Sequence, residues 1–532
     1  MTSTIEPPQP AEPSPPSSDG MAGANKWRTL VSVSLGIMMV ALDGTVVSVA
    51  NPTIGRDLNA SLADLQWVTN GYLLAIAVLL VFGGRLGDRF GRKRMFMIGM
   101  AGFALGSLGC ALSPSIDVLI LFRVLQGVFG AMMMPATLAC LRAAFPADEL
   151  ERAVGIWGGT SALATASGPI IGGLLVQHVS WESIFLLNVP LGVFSLIVAF
   201  FSITETKDVD SGRGLDPAGV ALLSGSLFAL AWGLIKSQTH SWGSTYTLGF
   251  LAAALVLMIV FILWEKRVKV PLISLELFKS PSFSAGVVLV ILGLFSLYGV
   301  LFFMTLYLQR VHGYSPVAAG VRLLPLTAVF SFSSPLGGVL TARFGPRVPL
   351  FIGMVLMGAA FLGLRSVGID TSYSGQWPWF LAVGVALGLI IVASTQAIVG
   401  NAPVDRAGVA GGIQQTGFQL GGVIGTSVLG SVIVSGVASH FAGHLAAAGV
   451  PHQAAAALTG TAANQSVAQG IVPITPATAH ALIAPITHAS YLSFLDGLHN
   501  AMLVGAIVSF VGALVSLLVQ RGHEVDGAAA VG

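Results

Sequence analysis

Charge is scarce in this chain. Asp, Glu, Lys and Arg make up 9% of its 532 residues and 54% are hydrophobic, whereas a typical soluble domain is roughly 25% charged. An ordinary soluble protein is therefore excluded. Because the formal net charge is only +2, the composition gives no reason to expect a nucleic-acid partner.

Cysteine and the common catalytic motifs are also lacking. The two cysteines, Cys110 and Cys140, fall near opposite membrane faces in the spans predicted below, and a disulfide needs Cα atoms within roughly 7 Å, so we expect none. The absence of any Gly-Lys dipeptide excludes a P-loop that would hydrolyse ATP. No nucleophile, acid/base or metal constellation is evident, and we expect no cofactor, no metal and no enzymatic activity.

Long apolar runs dominate what is present. A hydrocarbon core about 30 Å thick needs roughly 20 apolar residues in each spanning helix. The sequence predicts an all-α integral membrane protein with fourteen such helices. The predicted spans are 27–50, 64–84, 95–112, 116–138, 153–177, 184–203, 216–236, 246–265, 283–308, 316–341, 347–365, 377–399, 407–435 and 494–519.

The distribution of Lys and Arg predicts the orientation, because short cytoplasmic loops retain positive charge. With the N-terminus inside, 19 of the 25 Lys and Arg residues lie on the cytoplasmic side. The other six are Arg56, Lys236, Arg310 and Arg365 outside, and Arg123 and Arg322 within spans. We therefore expect both termini to be cytoplasmic. Arg322 lies close enough to the outer surface to reach it, and we assign it no role.

The N-terminal residues 1–25 form a proline-rich cytoplasmic tail. They contain six prolines and few large apolar side chains, so they cannot offset the entropy cost of folding and we expect disorder. They are not a signal peptide, since the tail lacks a basic start and the first apolar run is long. Residues 520–532 are expected to form a second cytoplasmic tail.

A repeated turn indicates how the helices are organised. Residues 83–91 are GGRLGDRFG and residues 337–345 are GGVLTARFG, which match at six of nine positions 254 residues apart. Internal repeats of this kind are typical of transporter folds. The turns follow spans two and ten, so two extra spans must separate two six-helix halves. We predict a bundle over 26–204, an insert of two helices over 205–282, and a second bundle over 283–519.

The segment 436–493 is the longest stretch outside the predicted spans, and the topology places it outside the membrane on the extracytoplasmic face. It contains no Lys, Arg, Asp or Glu, and a short helix is compatible with the alanines at 454–457. His440 and His444 have the i, i+4 spacing of two metal ligands on a helix. We favour a solvated cap over a metal site, because no acidic or thiol ligand is expected nearby.

The first copy of the repeated turn is dense in glycine and positive charge. Retention of positive charge on the cytoplasmic side explains the basic residues but neither Asp88 nor the glycine spacing. The segment resembles the signature loop of the major facilitator superfamily. The resemblance implies the major facilitator fold and a conformational latch in which Asp88, Arg89 and Arg92 bridge helix ends in the outward-facing state. The latch residues are Gly84, Asp88, Arg89, Gly91 and Arg92; Ala342 replaces the acid in the second copy.

The first span carries Asp43 in the run LDGTVVSVANP. A charge at mid-membrane costs about 2.5 to 3.5 kcal/mol on insertion scales, so an intramembrane carboxylate indicates function by default. The run resembles the first-helix motif of the fourteen-helix drug/proton antiporters, the EmrB/QacA subfamily, from which Asn51 departs.

Arg123 is the expected partner of Asp43. Arg123 and Gln126 lie on one helical stripe with Gly127 and Gly130, and the run resembles the family's fourth-helix motif, whose arginine is associated with proton coupling. Desolvation favours the protonated acid and a nearby cation favours the carboxylate, so conformation can control protonation. A purely structural ion pair between the first and fourth helices remains the alternative.

The fifth span is built almost entirely of small residues, which let membrane helices approach closely. Ordinary tight packing accounts for them in part. The pattern Gly168-Pro169-x-x-Gly172-Gly173 also resembles the motif that separates antiporters from symporters and uniporters in the superfamily. Trp181 and Asn188-Val189-Pro190 resemble the start of the sixth span in these exporters.

These observations predict a proton-coupled antiporter of a bacterial plasma (inner) membrane that exports hydrophobic drugs, antibiotics or antiseptics by alternating access. Its partners would be a small hydrophobic substrate, neutral or weakly charged, together with protons and the lipid bilayer, and a monomer would suffice. An importer or uniporter of a sugar or metabolite would share the fold, and a membrane enzyme or structural protein is the other alternative. The candidate substrate-lining residues are Gln66, Trp67, Asn70, Tyr72, Phe302, Phe303, Tyr307 and Gln419.

Overall fold

The computed structural model describes residues 19–206, 216–268, 271–402, 407–474 and 478–520. Within these ranges it contains fourteen helices long and apolar enough to cross a membrane, which confirms the predicted number. Of the predicted tails, residues 1–18 and 521–532 lie outside the described residues. The first helix begins at Asp19, so the end of the predicted N-terminal tail is helical.

The first six membrane helices form one bundle. They are α1 (Asp19–Asp57), α2 (Leu62–Phe90), α3 (Arg92–Ala111), α4 (Ile116–Ala144), α5 (Ala147–His178) and α6 (Ser183–Ser202, in two pieces that meet at residue 187). Two helices follow, α7 (Pro217–His240) and α8 (Thr245–Glu265). They correspond to the predicted insert.

The last six membrane helices form the second bundle. They are α9 (Pro281–Leu306, extended by a π-helical turn Tyr307–Val311), α10 (Pro316–Phe344, in two pieces), α11 (Arg347–Leu364), α12 (Trp377–Val399), α13 (Ala407–Ala447) and α14 (His480–Ser516). Two short helices, His452–Leu458 and Thr461–Val467, lie between α13 and α14. The first of them includes the alanines at 454–457, with which a short helix is compatible.

Local sequence explains where several helices begin. Ser61 accepts a hydrogen bond from the backbone N of Asp64 (3.2 Å), and the Asp64 carboxylate accepts one from the backbone N of Ser61 (2.9 Å). This capping box satisfies two donors at the start of α2. At α9, Ser280 caps the helix and Pro281 occupies its first position, where its missing N–H costs nothing.

The predicted extent of the outer segment 436–493 is wrong. Helix α13 continues to Ala447 and α14 begins at His480, fourteen residues before the predicted start. Pro485 lies within α14, and the segment is rich in alanine and contains no Asp, Glu, Lys or Arg. Such a sequence extends a helix readily when a neighbouring helix supports it; low hydropathy alone made it resemble a loop.

The inserted helix α7 lies against both bundles. Its Ser237 hydroxyl is 2.7 Å from the Ser431 hydroxyl of α13, and its Trp232 ring lies 5.5 Å from the Trp67 ring of α2. Helix α8 packs mainly against α7 and presents large apolar side chains outward. The insert is thus attached to the seam between α2 and α13.

The bundles touch from mid-membrane to the predicted extracytoplasmic side. Gln309 donates to Val49 O (3.0 Å), Thr327 to Ala166 O (3.0 Å) and Ser331 to Ala162 O (3.1 Å). Towards the other end of α5, a Cβ added to Gly155 or Gly158 would meet no atom within 4 Å. Among the described residues, the two bundles are thus in contact at the predicted extracytoplasmic side.

Candidate functional site

Asp43 and Arg123 form a buried ion pair in the first bundle. Their side chains are 0% and 1% exposed, and Arg123 Nη1 donates to Asp43 Oδ2. The pair joins α1 to α4, as the sequence predicted. Because the pair lies inside a membrane bundle, its two charges are stabilised by each other and by a few neutral dipoles.

Three neutral side chains complete the shell around Asp43. Gln126 Nε2 donates to Asp43 Oδ1 (3.0 Å), and Asn188 Nδ2 lies 3.4 Å from the same oxygen. Both amides also donate to Ser107 Oγ, at 2.7 and 3.2 Å. Helices α1, α3, α4 and α6 therefore meet at one carboxylate.

Arg123 has further partners that hold its guanidinium in place. Nε donates to Val68 O of α2 (2.9 Å), and Nη1 also donates to Gln126 Oε1 (2.7 Å). The guanidinium carbon lies 4.2 Å from the centre of the Tyr72 ring, within cation–π range. The arginine is therefore supported even where its carboxylate partner is neutralised.

Sequence reasoning found part of this shell. Gln126 was expected beside Arg123, because i, i+3 neighbours share a helix face. Asn188 was noted only through a family resemblance, and Ser107 was missed. A lone polar side chain such as Ser107 in an apolar span is common, and only the packing of α3 against α4 brings it to the acid.

The second bundle reaches this site through Tyr298 of α9, which the sequence analysis did not single out. Its hydroxyl lies 3.0 Å from the point where a Cβ on Gly44 would sit, beside Asp43. Its ring also packs against Gly422 of α13. Tyr298 is thus the aromatic side chain of the second bundle that contacts the α1 backbone next to the acid.

The turn between α2 and α3 holds the predicted latch residues together. Arg92 donates to Asp88 Oδ1 through Nε (3.2 Å) and Nη2 (3.0 Å), and the Arg89 guanidinium lies over the Phe90 ring. Gly84 packs against Pro135 of α4. The Asp88–Arg92 pair joins α2 to α3 within one bundle.

Glu205, just after α6, contacts this turn, and sequence reasoning missed it. Its carboxylate accepts from the backbone N of Lys93 (3.1 Å) and of Arg94 (3.2 Å), and so caps α3. Gly91 has φ +114°, and a Cβ there would lie 2.4 Å from Glu205 Oε1. Glycine is therefore required at position 91 both for backbone conformation and for the approach of Glu205.

The glycines of α5 allow two close helix contacts. A Cβ on Gly168 would lie 2.0 Å from Thr45 Oγ1, and one on Gly172 would lie 2.7 Å from Val46, so α5 and α1 are in tight contact. On the adjacent face, a Cβ on Gly173 would lie 2.6 Å from Pro316 O of α10. The stretch around Pro169 thus packs against both bundles.

The eight candidate lining residues are all buried, and they fall in different surroundings. Gln66 and Asn70 of α2 bond to Thr426 and Ser427 of α13, Trp67 packs against the insert, and Tyr72 lies under Arg123. Phe302 and Phe303 are neighbours in α9, Tyr307 donates to Gly368 O (2.7 Å), and Gln419 lies on α13. Their contact with substrate stays a prediction.

The two outer histidines differ from expectation in their surroundings. His440 and His444 lie on α13, and His444 Nε2 is 2.7 Å from Asp496 Oδ2 of α14. The expectation that no acidic group lies nearby is therefore wrong, because α13 continues to Ala447 and places His444 beside Asp496 of α14. Among the described residues, no group of three or more His, Cys, Asp or Glu side chains is arranged to hold a metal ion.

Chemically, the Asp43 cluster is suited to moving a proton. The carboxylate is the group that can gain or lose one, whereas the guanidinium stays charged. Its neighbours are amides, a hydroxyl and a tyrosine, none of which is a strong nucleophile. The geometry supports reversible protonation coupled to rearrangement of the helices that contribute the shell.

Comparisons with known proteins show what the chain is similar to. The sequence profile of the Major Facilitator Superfamily matches residues 33–426. The chain is 44% identical over 509 residues to the "Tetracenomycin C resistance and export protein" of Streptomyces glaucescens, covering 95% of this chain and 94% of the relative. It is 34% identical over 456 residues to the "Multidrug resistance protein Stp" of Mycobacterium tuberculosis (strain CDC 1551 / Oshkosh), covering 84% and 83%.

A solved structure of a bacterial homologue of the human lysosomal transporter Spinster, described as inward-facing and unoccupied, superposes with a TM-score of 0.62 at 18% identity. The superposition covers 93% of this chain and 98% of that one. At that identity the likeness shows the fold alone.

Proposed function

Since the chain belongs to the major facilitator superfamily of transporters, we propose that it exports hydrophobic drugs, antibiotics or antiseptics across the plasma membrane in exchange for protons. The relatives named for drug resistance and export support the substrate class. The proton part rests on one observation, the fully buried Asp43–Arg123 pair. A buried acid that must alternate between charged and neutral states is costly, and its retention is explained by coupling.

Asp43 is the proton carrier in this proposal. In the ionised state it attracts Arg123 and accepts hydrogen bonds from Gln126 and Asn188. Protonation from the outer side removes the attraction to Arg123, and release to the cytoplasm restores it. Arg123 keeps Val68 O and Gln126 Oε1 as acceptors in both states, so it sets the proton affinity without losing its position.

The side chains around Asp43 connect its protonation state to hydrogen bonds at the interface between the two bundles. Arg123 holds the carbonyl of Val68, which lies in the same turn of α2 as Gln66 and Asn70. Gln66 donates to Thr426 O (2.8 Å) and Asn70 to Ser427 Oγ (3.1 Å), both on α13. A change in the pull of Arg123 on α2 therefore acts directly on hydrogen bonds between the bundles.

The antiporter motif and the latch complete the alternating-access proposal. The contact of Gly173 with α10 closes the outer side, and it must part when the outer side opens. Asp88, Arg89 and Arg92 would then stabilise the outward-facing state from the cytoplasmic side. Ala342 cannot act as the acid in the corresponding turn, so the latch operates in one repeat.

The proton gradient can supply the energy. Moving one charge across 100 mV yields about 2.3 kcal/mol. One proton exchanged for one neutral molecule sustains a concentration ratio of roughly fiftyfold at that potential.

Everted membrane vesicles test the proposal. Adding substrate to acidified vesicles is expected to drive proton efflux with the wild-type protein, and Asp43→Asn is expected to abolish the exchange. Asp57→Asn is the matched control, because Asp57 is an exposed carboxylate on the same helix. If Asp43→Asn exchanges drug for protons at wild-type stoichiometry, the coupling assignment fails.

A further inference from the structure

A second pair of buried acids lies in the inserted helices, at their predicted cytoplasmic ends. Asp216 precedes α7 and is 5% exposed. Its Oδ1 accepts from the backbone N of Gly219 (2.9 Å) and from Trp264 Nε1 of α8 (3.0 Å). It therefore caps α7 and ties α7 to α8.

Glu265 is the last residue of α8 and is 4% exposed. Its Oε2 accepts from the backbone N of Ile273 (2.8 Å), whereas among the described residues no hydrogen bond reaches the buried Oε1. This oxygen faces Asp216: a Cβ added to Gly219 would lie 2.3 Å from Asp216 Oδ2 and 2.8 Å from Glu265 Oε1. Two carboxyl groups thus converge on one glycine.

Within the ranges that the structure describes, no charged neighbour neutralises the pair. Among the described residues neither acid forms an ion pair, and Asp216 is the charged group that acts on Glu265. Lys266 and Arg267, which follow α8, are exposed to solvent. Arg85 of α2 donates to Pro271 O in the linker.

Physical chemistry then limits the charge of the pair. Two buried carboxylates in contact repel each other, and such pairs retain one proton. With that proton on one carboxyl group, its O–H donates to an oxygen of the other. The buried Oε1 of Glu265 then has a hydrogen-bonding partner.

We propose that Asp216 and Glu265 form a second protonation site, separate from Asp43, in which the two carboxyl groups share one proton taken from the cytoplasmic side. Loss of that proton leaves two adjacent carboxylates. Glu265 also holds Ile273, two residues after the carbonyl that binds Arg85 of the latch turn. The proton therefore controls how firmly the insert holds the latch turn, a role beyond the drug/proton exchange proposed above.

Infrared spectroscopy of the purified full-length protein tests the site. We expect a protonated-carboxyl band equivalent to one group per molecule at neutral pH, lost in Glu265→Gln and in Asp216→Asn. Glu265→Gln keeps an acceptor for Ile273 N and gives Asp216 an amide donor, so it mimics the protonated pair and should fold. Asp43→Asn should leave the band in place, which separates this site from the coupling acid.

A second measurement follows the linker. The protection of the amides at 272–274, measured as exchange relative to the intrinsic base-catalysed rate, should fall as pH rises in the wild type, whereas Glu265→Gln should show no such change. A carboxyl band that survives both substitutions overturns the proposal. So does a band that responds to added Na⁺ or K⁺ at fixed pH, because the pair would then hold a metal cation.

Discussion

Replacing Asp43 by asparagine removes a charge from the buried cluster without changing its volume. With the new Oδ1 towards Arg123, the new Nδ2 faces Gln126 Nε2, which lies 3.0 Å from the oxygen it replaces. Two donors then oppose each other. Gln126 cannot turn to correct this, because its Oε1 already accepts from Arg123 Nη1 (2.7 Å).

Two effects determine how much Asp43→Asn lowers the free energy of unfolding. An uncompensated buried charge destabilises a protein by about 3 to 5 kcal/mol, and Arg123 keeps Val68 O, Gln126 Oε1 and the Tyr72 ring, which favours the lower end. The opposed donors add roughly 1 to 3 kcal/mol. We expect Asp43→Asn to lower the free energy of unfolding by about 4 to 6 kcal/mol.

A double-mutant cycle isolates the ion pair. Asp43→Asn, Arg123→Gln and the double variant are unfolded by detergent titration in mixed micelles at pH 7, followed by circular dichroism. The double variant contains neither charge, so we expect a coupling energy of about 2 to 3 kcal/mol. Asp57→Asn, which disturbs an exposed pair, should change stability by less than about 1 kcal/mol.

The cycle has a clear failing outcome. If the two single substitutions add in the double variant to within about 0.5 kcal/mol, the side chains do not interact as a buried ion pair. The physical basis for treating Asp43 as a carboxylate held by Arg123 would then be lost.

Two further outcomes are expected. Gly173→Ala places a Cβ 2.6 Å from a backbone oxygen of α10, so amide exchange over 316–322 should increase. Gly158→Ala on the same helix meets no neighbouring atom within 4 Å and should leave this exchange unchanged. Equal exchange in both variants would contradict the closed outer contact. Burial and the Arg322 charge lower the pKa of His312 from its ordinary value of 6.5, so below about that pH the unfolded chain binds a proton that the folded chain resists. Wild-type stability should therefore fall as pH drops below about 6.5, and a melting temperature that falls equally in His312→Gln would contradict this assignment.

The number of helices and the Asp43–Arg123 pair were predictable because each depends on local properties. A spanning helix is a matter of length and hydropathy, and a charge inside one is costly wherever it lies. The start of α14 was not predictable in this way. Residues 480–493 are too polar to be recognised as a span, yet they are helical because they continue α14 beside α13.

The Asp216–Glu265 pair shows a related limit. Each acid falls at the end of a predicted span, where a carboxylate is ordinarily solvated and needs no explanation. Only the pairing of α7 with α8 shows that both are buried and face one glycine. Burial at a helix end is a tertiary property, so hydropathy could not distinguish these acids from exposed ones such as Asp57.

Contacts between the bundles explain how the two halves can differ in chemistry and still act together. The first bundle contains the acid, the arginine and the turn with Asp88, whereas the second contributes Tyr298, whose hydroxyl lies against Gly44 beside the acid. Tyr298 also packs on Gly422 of α13, the helix that receives the hydrogen bonds of Gln66 and Asn70. Movement of α13 relative to α2 must therefore shift both the Tyr298 contact and the α2 turn that Arg123 holds. Both changes act on the surroundings of Asp43. Separation of the bundles therefore changes the environment of the proton without requiring a charged side chain from the second bundle.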